Sequence, residues 1–291
     1  MNSSKAIVFT IVALLLGAGI GLAGSQGSAA WGELPLFAIA GIVIYLVHWL
    51  VFIPSWIYQT EHYFDLTGSI TYLSALGTVA ILHPALDTRG LVLCLLIAIW
   101  AIRLGSFLFK RVKRAGGDSR FDPIKINFFR FLLTWTLSGT WVYVTMAAGL
   151  AAVTSADSIG LDAFFAAGLA LWLAGFAFEV TADTQKTRFR ADPANEGKFI
   201  SSGLWSISRH PNYFGEIVLW IGIAVIAFPA LSGSQYITLI SPVFVIFLLT
   251  RVSGINMLER AGKQRWGDNP DYQAYLDSTP ALVPLVGKKG D

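Results

Sequence analysis

Long apolar runs separated by short polar turns dominate this chain. Runs able to cross a bilayer, about 17–25 residues long, fall at 6–24, 34–53, 67–84, 90–109, 128–152, 160–182, 213–230 and 236–254. The pattern predicts an all-α, polytopic membrane bundle of seven or eight transmembrane helices, seven if one N-terminal segment lies flat or re-enters. The first run follows Lys5 but is longer than a signal-peptide core, and "GSQGSAAWGE" matches a cleavage site only loosely. It is read as a retained helix. His83, before Pro84, ends the third helix.

Composition supports the membrane reading. Of 291 residues, 55% are hydrophobic and 13% charged, against about 25% charged in soluble domains. Of the 21 Lys and Arg, six lie in 110–127, five in 184–212 and six from 251 onward. With the intervening runs as spans, these segments share one side, and "TSADSIG" and "LSGSQY" on the other carry no basic residue. By the positive-inside rule the basic side is cytoplasmic. That surface suits anionic lipid headgroups or a phosphate-bearing ligand. No nucleic-acid module is visible.

Some signals lead nowhere. Cys94 lies in an apolar run as a small buried hydrophobe. No cysteine or histidine cluster predicts a metal site, and no Ser-His-Asp signature predicts hydrolysis. His48, in "YLVHWLVF", reads as a packed or lipid-interface residue. "GIGLAG" (Gly19 to Gly24) fits a dinucleotide fingerprint in letters only. It lies inside a membrane-length run with no acid about 20 positions on, so close packing through small residues explains it better.

The candidate chemistry lies after the sixth run. Glu179 and Asp183 are four apart, with Lys186 and Arg190 near the same helix face. Glu179 follows "LALWLAGFAF", and an acid at that depth is costly and calls for a partner or a function. Asn195 lies in the polar loop "ADPANEGKF" and is counted among the cofactor contacts. Pro211 suits a first helical turn, whose unpaired N–H groups favour an anion, and Arg209 and His210 stand just before it. Asn212, Tyr213, Glu216 and Trp220 enter with the helix. Cations, a helix N-terminus and an inward carboxylate suit a ligand with phosphates and a polar end.

Those residues carry a resemblance. "GLWSISRHPNYFGEIVLW", with "EVTADTQKTRFR" before it and "YQAYLDSTPALVPLV" after it, resembles the steroid 5α-reductase family in its bacterial branch. The likeness is clearest over 170–285 and weaker at "IWAIRLGSFLFKRVKR" and "PSWIYQTEHYFDLTGS". It implies a single membrane-embedded reductase domain. The N-terminal half would be the substrate side, and 170–285 the NADPH-binding half reached from the cytoplasm. Such an enzyme saturates the 4,5 double bond of a 3-oxo-Δ4-steroid or a related hydrophobic enone. Cofactor contacts carry over to Asp183, Arg190, Asn212, Tyr213 and Glu216, and to Arg103, Arg111 and Arg251; Glu179 stands where the family often has Asn.

The family's Gln-Glu pair beside the substrate carbonyl is matched by Gln59 and Glu61, separated here by Thr60. The resemblance implies that a protonated Glu61 donates to the 3-oxo oxygen and stabilises developing enolate charge, a state that an apolar setting favours. Trp100 stands near the family's substrate tyrosine, leaving Tyr58 or Tyr63 as substitutes. Isoprenylcysteine carboxyl methyltransferases share a similar "RHPNY" start but use S-adenosylmethionine. Basic residues around 103–114 and 186–190 favour NADPH, which carries phosphates that the methyl donor lacks. A transporter would string polar groups through mid-membrane, whereas here they crowd at one face.

Overall fold

The structure is a computed structural model that describes residues 1–115 and 117–286, without the side chains of Arg114, Ala115 and Ser119. Lys288 and Lys289 of the C-terminal basic group lie outside the described residues. The helices are α1 (Ser3–Ser25), α2 (Leu36–Ile57), α3 (Phe64–Leu82), α4 (Thr88–Ala115), the short α5 (Asp122–Lys125), α6 (Phe128–Val153), α7 (Ala163–Ala191), α8 (Pro211–Ala227), α9 (Ile240–Phe247), α10 (Ile255–Trp266) and α11 (Pro270–Ser278). A two-stranded hairpin, β1 (Ala30–Trp31) and β2 (Leu34–Pro35), links α1 to α2.

Among the described residues, eight helical segments are long and apolar enough to cross a membrane. The protein is an all-α polytopic membrane bundle, as the hydrophobic pattern predicts. The eighth segment, Gly233–Trp266, is composite: a 3-10 turn, α9, a π turn at Leu248–Val252 and α10. The third begins at Phe64 and takes in Asp65, because Glu61 O already accepts from Phe64 N. The sixth runs on to Ala191, so Glu179 and Asp183 are helical and buried.

Two compact units result, each built from two stretches of chain. The first comprises Met1–Ala166 and Ala224–Ser241. Its centre is α6, which packs on α1, α2, α3 and α4 and buries Phe131, Trp135 and Tyr143. Phe52, Phe121, Phe131 and Trp135 form an aromatic core against Trp56 and Phe64. A polar seam crosses it. His48 Nε2 lies 3.0 Å from Ser138 Oγ, Trp49 Nε1 donates to Thr136 Oγ1 at 3.2 Å, and Tyr45 pairs with Thr140 at 2.9 Å. His48 is therefore a packed, hydrogen-bonded residue. Of the "GIGLAG" glycines, Gly21 and Gly24 give room to Tyr143 and Phe37, as close packing requires, whereas Gly19 faces open space.

Arg89 stitches another part of this unit. It is 1% exposed, donates to Ile226 O and Gly160 O, each at 2.6 Å, and pairs with Asp162 at 2.9 Å. Three backbone segments thus meet on one guanidinium, whose fork of donors suits that geometry.

The second unit comprises Ala167–Ile223 and Pro242–Asp291. Within it α7 and α8 approach through glycines spaced seven apart, Gly168 and Gly175 on one helix, Gly215 and Gly222 on the other. The C-terminal tail is strapped to the segment before α8. Arg209 N donates to Pro280 O at 2.9 Å, Ser208 Oγ to Leu282 O at 2.7 Å and Leu285 N to Ile207 O at 3.1 Å.

Candidate functional site

The second unit holds a cavity of about 230 Å³. It is lined by Lys186, Arg190, Lys198, Arg209 and Arg265, by the lone carboxylate of Glu259, and by Phe199, Trp205, Trp266, Tyr272 and Tyr275, with His210 in its wall. Local sequence explains each wall. On α10, Glu259, Gly262, Arg265 and Trp266 recur at helical spacing, and Gly262 leaves room for the Tyr272 hydroxyl. Asn269 caps α11, its Oδ1 accepting from Asp271 N at 2.8 Å, and Pro270 opens the helix. Lys186 sits 4.4 Å over the Trp205 ring, whose Nε1 donates to Ala182 O at 3.0 Å.

Arg209 and His210, read from sequence as one anion-binding pair, have different roles. The Arg209 guanidinium is committed to protein. Its Nε donates to Glu259 Oε1 at 2.9 Å, and its Nη1 to Leu276 O at 2.6 Å and Thr279 O at 2.9 Å. It anchors α10, α11 and the tail to the start of α8. His210 Nε2 lies 3.0 Å from the same Glu259 oxygen, and its ring stacks on Tyr213 at 5.7 Å. Burial pulls the His210 pKa below its usual value despite the neighbouring Glu259.

Other expected cofactor contacts in this unit divide. Arg190 reaches the cavity. Glu179 and Asp183 are buried on α7, and Asn212, Tyr213 and Glu216 are half-buried on the first turns of α8, which starts at Pro211 as its sequence predicts. Asn195 instead caps α7, its Nδ2 donating to Phe189 O at 3.1 Å. Arg251 is exposed on the π turn. Sequence reading missed Glu259, Lys198, Arg265, Trp266 and Tyr272. For Glu259, Arg265 and Trp266 the signal was the basic-aromatic periodicity of "ERAGKQRW" after the last apolar run.

The remaining candidates belong to the first unit. Arg103 packs over Phe107 and Arg111 lies 3.8 Å from Asp65. Tyr58 is 77% exposed. Gln59 is left-handed at φ 51 and turns its amide back to Trp56 O at 2.8 Å. Glu61 is buried, yet both its oxygens accept, from Asp118 N at 3.0 Å and Lys125 Nζ at 3.0 Å. Burial raises its pKa, but these donors outweigh it and hold the carboxyl below its ordinary value. The expectation of a neutral Glu61 is thereby corrected: its surroundings favour the carboxylate. Tyr72, which sequence reading did not single out, lies edge-on to the buried Trp100 at 5.4 Å.

Fold and cavity together define a helical membrane protein with a cationic, aromatic-lined pocket in its second unit. Residues 51–279 match the family described as "Protein of unknown function (DUF1295)", and the chain belongs to that family. Among curated relatives, it is 29% identical over 122 residues to 3-oxo-5-alpha-steroid 4-dehydrogenase 1 of Rattus norvegicus, covering 42% of each chain. It is 35% identical over 133 residues to Delta(14)-sterol reductase of Methylotuvimicrobium alcaliphilum, covering 40% of this chain and 29% of that one. A probable O-methyltransferase of Ustilaginoidea virens is 26% identical over 117 residues, covering 33% of this chain and 41% of its own. The matched segments span less than half the length of each relative. No solved structure matches.

Proposed function

We propose that the protein is a membrane reductase that uses NADPH to saturate the Δ4 double bond of a 3-oxo-Δ4-steroid or a related hydrophobic enone. The cofactor would enter from the cytoplasmic side of a bacterial inner membrane. The observation that carries the reading is the charge of the cavity, five cationic side chains against one carboxylate, which fits a ligand bearing phosphates. The steroid and sterol names of two relatives agree with it.

Bound NADPH supplies the hydride, and the protein supplies orientation and electrostatics. Lys186, Arg190, Lys198 and Arg265 neutralise phosphate charge, and the aromatic walls hold flat rings. Arg209, bonded to Glu259 and to two backbone carbonyls, keeps the walls in place. Asp183, Asn212, Tyr213 and Glu216 offer acceptors and donors for ribose and carboxamide. At the substrate end, Glu61 has a positioning part. As a carboxylate it holds Lys125, whose ammonium has three donors and uses two on Glu61 and Asp122. The third can face negative charge developing on an enone oxygen.

The test is NADPH oxidation by detergent-purified protein with and without progesterone. Steroid-dependent consumption is expected, falling at least about tenfold in Arg190→Ala, the order expected when a charge-assisted contact is lost. NADPH binding without turnover would retain the cofactor and remove the substrate class.

The alternative is an S-adenosylmethionine-dependent methyltransferase. It is favoured by the O-methyltransferase relative and by the shared "RHPNY" start. Binding of S-adenosylmethionine in place of NADPH would establish it.

A further inference from the structure

One wall of the cavity comes from the segment before α8, which contributes Trp205, Arg209 and His210, and another from α11, which contributes Tyr272 and Tyr275. With nine residues, α11 is too short to hold its helix alone, so its place depends on what ties it down. Tyr275 Oη donates to Trp205 O at 2.7 Å. Beyond the helix the chain runs back antiparallel to residues 207–209. Arg209 N donates to Pro280 O at 2.9 Å, Ser208 Oγ to Leu282 O at 2.7 Å and Leu285 N to Ile207 O at 3.1 Å. Ser208 stands at the centre of this contact. It is fully buried, and the hydroxyl that donates to the tail also accepts from His210 N at 3.2 Å, just before α8 begins. Pro280 and Pro284 have no N–H to add. Val283, Leu285 and Val286 are exposed, so apolar burial holds the end of the tail only weakly and these bonds carry it. Leu285 is left-handed at φ 64, a conformation that costs an L-residue free energy. The tail is a closed strap at the low end of local stability.

We propose that residues 280–285 are a latch on the cavity, fastened by Ser208. Closed, the latch sets α11 and its two tyrosines against the segment before α8; open, it releases them. Ser208 is thus a positioning residue, acting on the cavity through the tail and the start of α8. A ligand that needs both walls binds the closed form more tightly. By linkage, its binding must hold the latch shut by the same factor. The proposal rests on the reading of the cavity as an anion site, and the latch works alike whether or not that anion is NADPH.

The experiment measures amide hydrogen exchange at Arg209 and Leu285, whose N–H groups close the latch. It uses the full-length protein in detergent, free and with inorganic pyrophosphate or NADPH. Either ligand should slow both amides on the order of fivefold, the size of one hydrogen bond. Ser208→Ala should bind both ligands about fivefold more weakly, the same factor by reciprocity. Exchange that neither ligand slows in the wild-type protein would overturn the proposal without recourse to any variant, as would wild-type affinity in Ser208→Ala. If pyrophosphate slows exchange and NADPH does not bind, the latch stands and the cofactor reading falls. If NADPH binds and leaves both amides unchanged, the latch falls and the cofactor reading stands.

Discussion

The contact between α7 and α8 makes a demanding prediction. A Cβ added at Gly215 would lie 2.6 Å from both Glu179 N and Gly175 O. One at Gly175 would lie 2.5 Å from Leu219 N, and one at Gly222 2.6 Å from Gly168 O. These obstacles are backbone, so no side chain can rotate away. Non-bonded carbon atoms settle at about 3.5 Å or more, so Gly215→Ala must drive the helices about 1 Å apart at that point. Overpacking of this kind costs about 1–3 kcal/mol, which for a chain of this size lowers Tm by roughly 3–10 °C. The damage should not stop at stability, because α7 carries Asp183 and Arg190 and α8 begins with Asn212 and Tyr213. A shift of about 1 Å is expected to weaken NADPH binding roughly tenfold or more. The assay is size-exclusion after a heating series in mild detergent, with NADPH titration on the unheated protein. Gly19→Ala and Gly77→Ala are the controls. An added Cβ meets nothing within 4 Å at either site, so both should melt with the wild type or up to about 1 kcal/mol better through helix propensity. If Gly215→Ala melts and binds as the wild type does, the seam does not set the helix spacing.

Three further outcomes follow from named contacts. Gln59 is the left-handed residue of a helix-ending motif in which Thr60 N bonds Ser55 O and Gln59 N bonds Trp56 O. Gln59→Gly should therefore stabilise by about 1 kcal/mol, read as a higher melting temperature, and a loss of activity with intact folding would instead assign its amide a chemical part. Arg89→Met strands two backbone carbonyls and Asp162, and should cost roughly 3 kcal/mol in thermal or denaturant unfolding; a wild-type melting curve would refute the stitching role. Glu61 has its folded-state pKa below the ordinary carboxylate value. Its contribution is therefore complete above that ordinary value, about 4.3, and is lost as pH falls through the lowered folded value. Melting curves from pH 7 to 3 should show a steeper acid loss in the wild type than in Glu61→Gln, and parallel curves would remove the Lys125 pair as its cause.

The apolar pattern carried the bundle because a bilayer allows few solutions. A run of the right length must be a helix whose backbone bonds itself, so eight spans could be read one at a time. Pro211 was readable for a similar reason: its missing N–H belongs at a first turn whatever lies around it. The site was not local in this sense. Glu259 meets His210 from 49 positions away, and Lys125 meets Glu61 from 64. Nothing near Glu61 in sequence announces the ammonium that reverses its expected protonation. Arg89 is harder still, since most of its partners are carbonyls, which every residue has. The glycine seam was available and passed over. Gly168 with Gly175 and Gly215 with Gly222 repeat at two helical turns, a clearer packing signal than the adjacent glycines of "GIGLAG", of which one faces open space. The start of α8 shows why motif reading stops short of mechanism. Arg209 and His210 are neighbours in a basic motif and were read as doing one thing. Their side chains share a single Glu259 oxygen, yet Arg209 also closes the structure through two backbone carbonyls while the His210 ring stacks on Tyr213. Arg209 holds Glu259 and the carbonyls of Leu276 and Thr279, so its substitution should report first on folding, read as a lowered melting temperature.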